Sequence, residues 1–129
     1  GKIYVETNGL QLEKAIACVQ IVLDNLKMEE IQEFCVKKPV LYVGDIASGD
    51  QFFSSNKQKE KLLKELPTVL CVEMEGAAVA QVCCEYSIPF TVIRTISDQA
   101  DESSSVDFNA FIKQIASRYS VEIITNLIK

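Results

Sequence analysis

Apolar residues recur along this chain with two different spacings, and the change between them predicts its elements. From Leu10 to about Met28 they recur every three or four positions, which indicates an amphipathic helix. Three shorter and more continuous apolar runs, at 39–47, 68–74 and 90–96, are typical of buried strands. The apolar face of the first helix is predicted to contain Leu12, Ala15, Ile16, Val19, Val22, Leu23 and Leu26.

Three further helices are predicted around these strands. Asn56 is expected to cap a helix that ends at Leu66, before Pro67. The segment 75–86 is apolar on nearly all sides, so we expect a buried helix there. The segment 106–128 has the pattern of an amphipathic helix with Ser105 as its cap. Strands that alternate with helices favour right-handed crossovers, a parallel sheet and the α/β class.

The predicted sheet is too small to be complete. Three parallel strands covered on both faces would leave two unprotected edges. The first nine residues contain a strand-like Ile3-Tyr4-Val5 and then a turn, as if the chain began within a fold. We therefore expect residues 1–129 to be the C-terminal portion of a single domain whose N-terminal portion is absent from this chain.

Composition excludes several classes of function. The net charge of −5 argues against nucleic acid or an anionic membrane as a partner. Because the chain has no histidine, it cannot supply a Ser-His-Asp triad or a histidine metal site. No signal peptide or membrane-length apolar run is visible, so a cytoplasmic location is expected.

Five cysteines are present, without a C-x-x-C pair, and most lie in apolar runs. They are interpreted as buried structural thiols in a reducing compartment rather than as reactive or metal-bound groups. They are Cys18, Cys35, Cys71, Cys83 and Cys84.

Acidic side chains follow two of the predicted strands at the point where each strand ends. Glu73 and Glu75 close the second strand, and Ser97-Asp98 closes the third. In open α/β sheets ligands bind at this edge. A glutamate there can accept hydrogen bonds from a sugar diol, and a partly desolvated aspartic acid can act as a general acid. Arg94 lies in an apolar run, so it needs a carboxylate partner, for which Glu73 or Glu75 is the natural candidate.

Each of these features also has a structural interpretation. Glu75 could simply stabilise the N-terminus of the following helix. Asp98 and the nearby Asp101 could be turn or capping residues. Phe52 and Phe53, which follow a Ser-Gly-Asp turn, could fill the core or present one ring to a planar ligand.

Three motifs occur together in one order. They are Ile46-Ala-Ser-Gly-Asp-Gln-Phe-Phe53, Val72-Glu-Met-Glu-Gly-Ala-Ala78 and Ile93-Arg-Thr-Ile-Ser-Asp-Gln-Ala-Asp101. Together they resemble the 5′-methylthioadenosine/S-adenosylhomocysteine nucleosidases of the nucleoside phosphorylase superfamily. The resemblance implies a three-layer αβα fold with a mostly parallel or mixed central sheet. It also implies hydrolysis of the N-glycosidic bond of an adenine thionucleoside, with release of adenine and without a metal or cofactor.

The resemblance also implies a role for individual residues. Asp98 matches the general acid that protonates adenine at N7, Ser97 its hydrogen-bonding neighbour, and Arg94 a residue near the attacking water. Phe52 matches the ring that stacks on adenine, and Phe53 the position whose backbone recognises the edge of the base.

The other matched residues are implied to bind the rest of the substrate. Glu73, Met74 and Glu75 fall in the ribose-binding segment, with Glu75 on the hydroxyls. Phe108 matches a residue that reaches the 5′-substituent pocket of the partner subunit in the family's dimer. The family's water-activating glutamate belongs to the missing first half, so a homodimer, or an assembly with that half, is expected and the 129 residues alone are predicted to be inactive.

Three alternatives remain open at this stage. A purine nucleoside phosphorylase would use phosphate in place of water. A 6-amino-6-deoxyfutalosine nucleosidase would be a closer variant. A non-catalytic storage or interaction protein of the same fold would not require Asp98, Glu75 and Arg94.

Overall fold

The computed structural model describes residues 4–26, 39–51, 55–96 and 116–129. Helices alternate with two parallel strands in this part of the chain, which confirms the α/β class. The elements are α1 (Gly9–Asp24), β1 (Asp45–Ser48), α2 (Asn56–Glu65), β2 (Val69–Glu73), α3 (Gly76–Glu85) and α4 (Ser117–Leu127).

The chain divides into two compact units. Among the described residues, the first unit comprises 4–8, 42–51 and 55–92, and the second comprises 9–26, 39–41, 93–96 and 116–129. The first unit therefore contains both strands with α2 and α3, and the second contains α1 and α4.

In the second unit, α1 packs against α4. Val19 and Val22 of α1 meet Tyr119 and Ile123 of α4 in a buried cluster. The predicted apolar face of α1 is confirmed, since all seven of its residues are buried or half-buried. Periodicity alone identified this face because helical geometry brings residues three and four apart to one side. Leu23, Leu26, Leu41, Ala116 and Leu127 pack around the cluster.

In the first unit, β1 and β2 pair in parallel, and their register determines which residues lie side by side at the candidate site. An irregularity between Asp45 and Ile46 shifts the pairing by one residue near the start of the ladder. From there the pairing is regular and ends with Ser48 opposite Glu73. The last residues of the two strands are therefore neighbours at the same edge of the sheet.

Helix α2 begins one residue earlier than predicted, because a different residue caps it. Ser55, rather than Asn56, is the N-cap, and its hydroxyl accepts a hydrogen bond from the N–H of Gln58. Ser55 precedes Gln58 by three positions, which is the spacing of a capping box. Both Ser and Asn are good N-caps, so the residue type alone could not separate the two positions.

The predicted third strand at 90–96 is not a strand in the structure. A strand requires repeated pairing with a neighbour. Within the described ranges, this segment accepts a backbone hydrogen bond at its start, from the N–H of Asn8 to the carbonyl of Phe90, at 3.4 Å. The chain also passes from the first unit to the second between Val92 and Ile93, so the segment does not stay within one sheet.

The prediction that α3 is buried on nearly all sides is wrong for this structure. Ala80 is its buried residue, whereas Val79 and Val82 are 51% and 53% exposed. Ala80 is also the only buried apolar residue of the first unit within the described ranges. An apolar pattern shows that a surface favours burial, but it does not show that this chain supplies the covering partner.

The other boundaries differ by a few residues. The first strand is shorter than predicted, since β1 covers Asp45–Ser48 rather than 39–47. Helix α4 is described from Ser117, and the predicted cap Ser105 lies outside the described residues. Of the cysteines, Cys18 is buried as expected, but Cys84 is exposed. No helix in the described part is long and apolar enough to span a membrane.

Candidate functional site

The candidate site lies where β1 and β2 end and α3 begins. We call the residues Ser48 and Glu73 to Ala77 the α3 entry. Ser48 and Glu73 are the paired last residues of the two strands, and Gly76 is the first residue of the helix. Since parallel strands place their carboxyl ends at one edge, this is the position where α/β folds bind ligands.

The carboxylate of Glu73 folds back onto the start of α3. Its Oε2 accepts hydrogen bonds from the N–H of Gly76 at 2.8 Å and from the N–H of Glu75 at 3.2 Å. Its Oε1 accepts from the N–H of Gly76 at 3.0 Å. A carboxylate is favourable here because the first N–H groups of a helix lack partners within the helix and carry partial positive charge.

Ser48 also links the end of β1 to the start of α3. Its Oγ accepts a hydrogen bond from the N–H of Ala77 at 2.9 Å. One residue further on, the N–H of Gly49 donates to the carbonyl of Glu73 at 3.1 Å, which continues the contact between the two chains past the end of β1. Both strands are therefore fastened to the first turn of α3.

Gly76 gives the Glu73 carboxylate the room it occupies. A Cβ at this position would lie 2.6 Å from Oε1 of Glu73, closer than such atoms approach, and 3.1 Å from Oε2, which is a tight contact. Gly76 does not have a positive φ, so its role is space and not an unusual backbone conformation. The Glu-x-x-Gly spacing therefore places the Glu73 carboxylate beside a residue that has no side chain.

Glu75 occupies the N-cap position of α3, yet its side chain makes no capping hydrogen bond. The carboxylate that accepts a hydrogen bond from the first N–H of α3 is that of Glu73. Glu75 and Met74 are both exposed, with Met74 at 48%. An exposed carboxylate held at a helix start can accept hydrogen bonds from two adjacent hydroxyl groups.

The structure describes some of the predicted site residues and not others. Glu73, Met74 and Glu75 lie together at the α3 entry, as predicted from their positions in the sequence. Arg94 belongs to the second unit, where its side chain is exposed; its pairing with a glutamate stays a prediction. Phe52, Phe53, Ser97, Asp98, Asp101 and Phe108 lie outside the described residues.

Two residues of this site were not assigned by sequence reasoning. Ser48 was noted only as part of a turn, and Gly76 only as part of a motif. A glycine three residues after a strand-ending glutamate is a usable signal in the sequence. The role of Ser48 becomes visible only once the two strands are known to be neighbours.

Within the described ranges, no group of three acidic or cysteine side chains could hold a metal ion. The α3 entry offers a ligand carboxylate oxygens, which accept hydrogen bonds, and main-chain groups. This set suits a hydroxylated, neutral or cationic molecule better than an anion.

Comparison with known proteins relates the chain to enzymes of nucleoside chemistry. The sequence profile described as the phosphorylase superfamily matches residues 13–129. A 5′-methylthioadenosine/S-adenosylhomocysteine nucleosidase of Staphylococcus aureus (strain bovine RF122 / ET3-1) is 42% identical over 74 residues, which is 57% of this chain and 32% of that protein.

Solved structures cover nearly the whole chain. The Streptococcus pneumoniae 5′-methylthioadenosine/S-adenosylhomocysteine nucleosidase with the transition-state inhibitor MT-ImmA matches with a TM-score of 0.73 and 29% identity, over 99% of this chain and 49% of that one. The native futalosine hydrolase of Helicobacter pylori strain 26695 matches with a TM-score of 0.69 and 35% identity, over 99% and 48%. The chain thus spans about a third to a half of the length of these relatives.

Proposed function

Because the chain belongs to the phosphorylase superfamily, we propose that the protein containing it is a 5′-methylthioadenosine/S-adenosylhomocysteine nucleosidase. It hydrolyses the N-glycosidic bond of these substrates and releases adenine. The observation that carries the proposal is the α3 entry, where Glu75 stands at the ligand-binding edge of the sheet without being used to cap its own helix. The likeness to the named nucleosidases supports it further.

The chemical problem in this reaction is the leaving group. Adenine leaves poorly as an anion, so protonation at N7 by a neutral carboxylic acid lowers the barrier. We assign this role to Asp98, with Ser97 orienting its carboxyl group through a hydrogen bond. Arg94 is assigned to the neighbourhood of the attacking water. The water-activating base is expected from a part of the protein outside these 129 residues.

The remaining residues bind the base and the sugar. Phe52 stacks on the adenine ring, and the backbone at Phe53 recognises its edge. Met74 packs against the ribose and Glu75 accepts hydrogen bonds from its hydroxyls. As the bond to adenine breaks, the ribose gains positive charge, so a carboxylate at this position stabilises the transition state more than the ground state.

The test of this function is adenine release by the full-length protein that contains this chain. With 5′-methylthioadenosine as substrate, adenine should appear at the same rate with and without phosphate. Asp98→Asn should lower kcat by about 10²-fold, as expected for the loss of a general acid, with little change in substrate binding. Asp24→Asn, the same change at an exposed position at the end of α1, is the matched control. Near-normal turnover by Asp98→Asn would refute the assignment.

Three outcomes favour the alternatives. Dependence of adenine release on phosphate would identify a purine nucleoside phosphorylase. Faster turnover of 6-amino-6-deoxyfutalosine than of 5′-methylthioadenosine would favour the variant that the futalosine hydrolase neighbour suggests. No release of adenine from any of these substrates by the folded protein would favour a storage or interaction role.

We also propose that the active form is an assembly. The first unit exposes large apolar side chains on and just after α3, including Val79, Val82 and Ile88. Large exposed apolar side chains grouped on one helix and the turn after it favour a covering partner. Further polypeptide of the same domain is proposed to cover these side chains. The protein is proposed to form a homodimer, in which Phe108 contributes to the 5′-substituent pocket of the partner. It is also proposed to be cytoplasmic.

A further inference from the structure

We infer that Glu73 and Ser48 are positioning residues for Glu75: they satisfy the first N–H groups of α3 and thereby keep the Glu75 carboxylate available to the ribose. This inference rests on the proposed function, since it assumes that Glu75 binds the sugar hydroxyls. It gives Glu73 a different task from Glu75, although both are acidic and only one residue separates them.

The start of α3 presents N–H groups that need hydrogen-bond acceptors. An α-helix leaves its first four N–H groups without partners inside the helix. At the α3 entry, Glu73 accepts from the N–H groups of Glu75 and Gly76, and Ser48 accepts from that of Ala77. Three consecutive donors are therefore satisfied by the last residues of two paired strands.

The Glu73 and Glu75 carboxylates can compete for the N–H groups at the start of α3. Anionic side chains are stabilised at helix N-termini, and an N-cap side chain is well placed to bond the N–H groups of the first turn. Glu75 is at the N-cap position, so its own carboxylate is the natural competitor. Glu73 already holds the N–H of Gly76 and Ser48 holds that of Ala77, and the Glu75 side chain makes no capping bond. If the hydrogen bonds of the Glu73 carboxylate are weakened, the Glu75 carboxylate can turn towards the helix and away from the ribose.

The Glu73 carboxylate occupies a space that Gly76 leaves open. Gly76 has no side chain where the Glu73 carboxylate lies, and a Cβ there would come within 2.6 Å of Oε1. Ser48 reaches the same helix turn from the neighbouring strand through a bond of 2.9 Å. The position of the helix start is thus fixed from both strands, and the backbone that carries Glu75 is fixed with it.

The experiment compares two substrates in the full-length protein that contains this chain. For each variant, kcat/KM is measured with 5′-methylthioadenosine and with its 2′-deoxy analogue, and their ratio gives the discrimination for the ribose hydroxyl. This ratio does not depend on the folded fraction, because both substrates meet the same folded enzyme. A purely structural role for Glu73 would lower the melting temperature and leave the ratio unchanged.

The variants are Glu73→Gln, Ser48→Ala and Glu75→Gln. Glu73→Gln keeps one carbonyl oxygen but loses the charge and the second acceptor, so we expect the ratio to fall about threefold to tenfold. Ser48→Ala should lower it in the same direction by less, and Glu75→Gln by the most. Glu85→Gln, the same change at the last residue of α3, is the control and should leave the ratio unchanged.

The outcomes separate this inference from the proposed function. A fall in the ratio for Glu73→Gln and Glu75→Gln, but not for Glu85→Gln, supports the positioning role. If Glu75→Gln lowers the ratio and Glu73→Gln does not, the positioning role is overturned and the ribose contact stands. If Glu75→Gln leaves the ratio unchanged, the ribose contact fails and the inference fails with it. Should Glu73→Gln not fold, Ser48→Ala decides by the same measure.

Discussion

Gly76→Ala offers a direct test of the packing at the α3 entry. The alanine Cβ would stand 2.6 Å from Oε1, 3.0 Å from Cδ and 3.1 Å from Oε2 of Glu73. These atoms are at the end of a flexible side chain, so the carboxylate can move away. When it moves, it loses the hydrogen bonds to the N–H groups of Glu75 and Gly76.

The magnitude follows from two opposing contributions. Loss of a helix cap costs about 1–2 kcal/mol. Replacement of glycine by alanine at a compatible backbone conformation stabilises by about 0.5–1 kcal/mol, mainly through the unfolded state. Gly76 has no positive φ, so alanine can adopt its conformation. We therefore expect a net loss of roughly 0.5–1 kcal/mol in the free energy of unfolding.

The same change should have the opposite sign when Glu73 is absent. In a Glu73→Ala background no carboxylate occupies the space, so Gly76→Ala should stabilise by about 0.5–1 kcal/mol. The coupling between the two positions is then about 1–2 kcal/mol, well above the deviation from additivity seen for independent sites. Denaturant unfolding of the four proteins of the cycle, in the full-length context, measures it. If Gly76→Ala has the same effect in both backgrounds, the packing argument is wrong.

Two further predictions concern other parts of the chain. Ser87 has a φ of 55° in the turn after α3, where the N–H of Ile88 donates to the carbonyl of Cys83 at 2.8 Å. Because this left-handed cap position favours glycine, Ser87→Gly should stabilise the protein by about 0.5–1 kcal/mol and raise its melting temperature by a few degrees. An unchanged or lower melting temperature would contradict this. The isolated 129-residue chain should self-associate in light scattering, because apolar residues such as Val79 and Val82 are exposed. It should release no adenine, because the proposed water-activating base lies outside it; a monodisperse monomer with enzyme-like turnover would contradict the proposed assembly.

The sequence predicted best those features that depend on local spacing. The apolar face of α1 follows from helical periodicity, and the start of α3 directly after β2 follows from the change from an apolar run to small residues. The α/β class then follows from the alternation of elements. These signals are contained within segments of ten to twenty residues, so no knowledge of distant partners was needed.

Features that depend on distant partners were predicted poorly. The apolar pattern of α3 suggested burial, yet Val79 is half exposed, since burial depends on what covers the helix. The run at 90–96 has the composition of a strand, but pairing with a neighbour decides whether one forms. The role of Ser48 could not be predicted, because its bond to Ala77 joins residues 29 positions apart.

The Glu-Met-Glu-Gly segment shows how one turn of backbone gives two identical side chains different tasks. In a continuous strand, residues two apart point to the same face, so Glu73 and Glu75 would be equivalent. Here β2 ends at Glu73 and α3 begins at Gly76, so Glu73 keeps its strand position while Glu75 takes the helix N-cap. The side chain that precedes the turn reaches forward to the helix N–H groups, and the one within the turn is left at the surface. A glutamine at position 73 would keep the shape and lose the charge, whereas a side chain at position 76 would remove the space. The segment therefore depends on Glu73 for its charge and on Gly76 for its space, which are separate physical reasons.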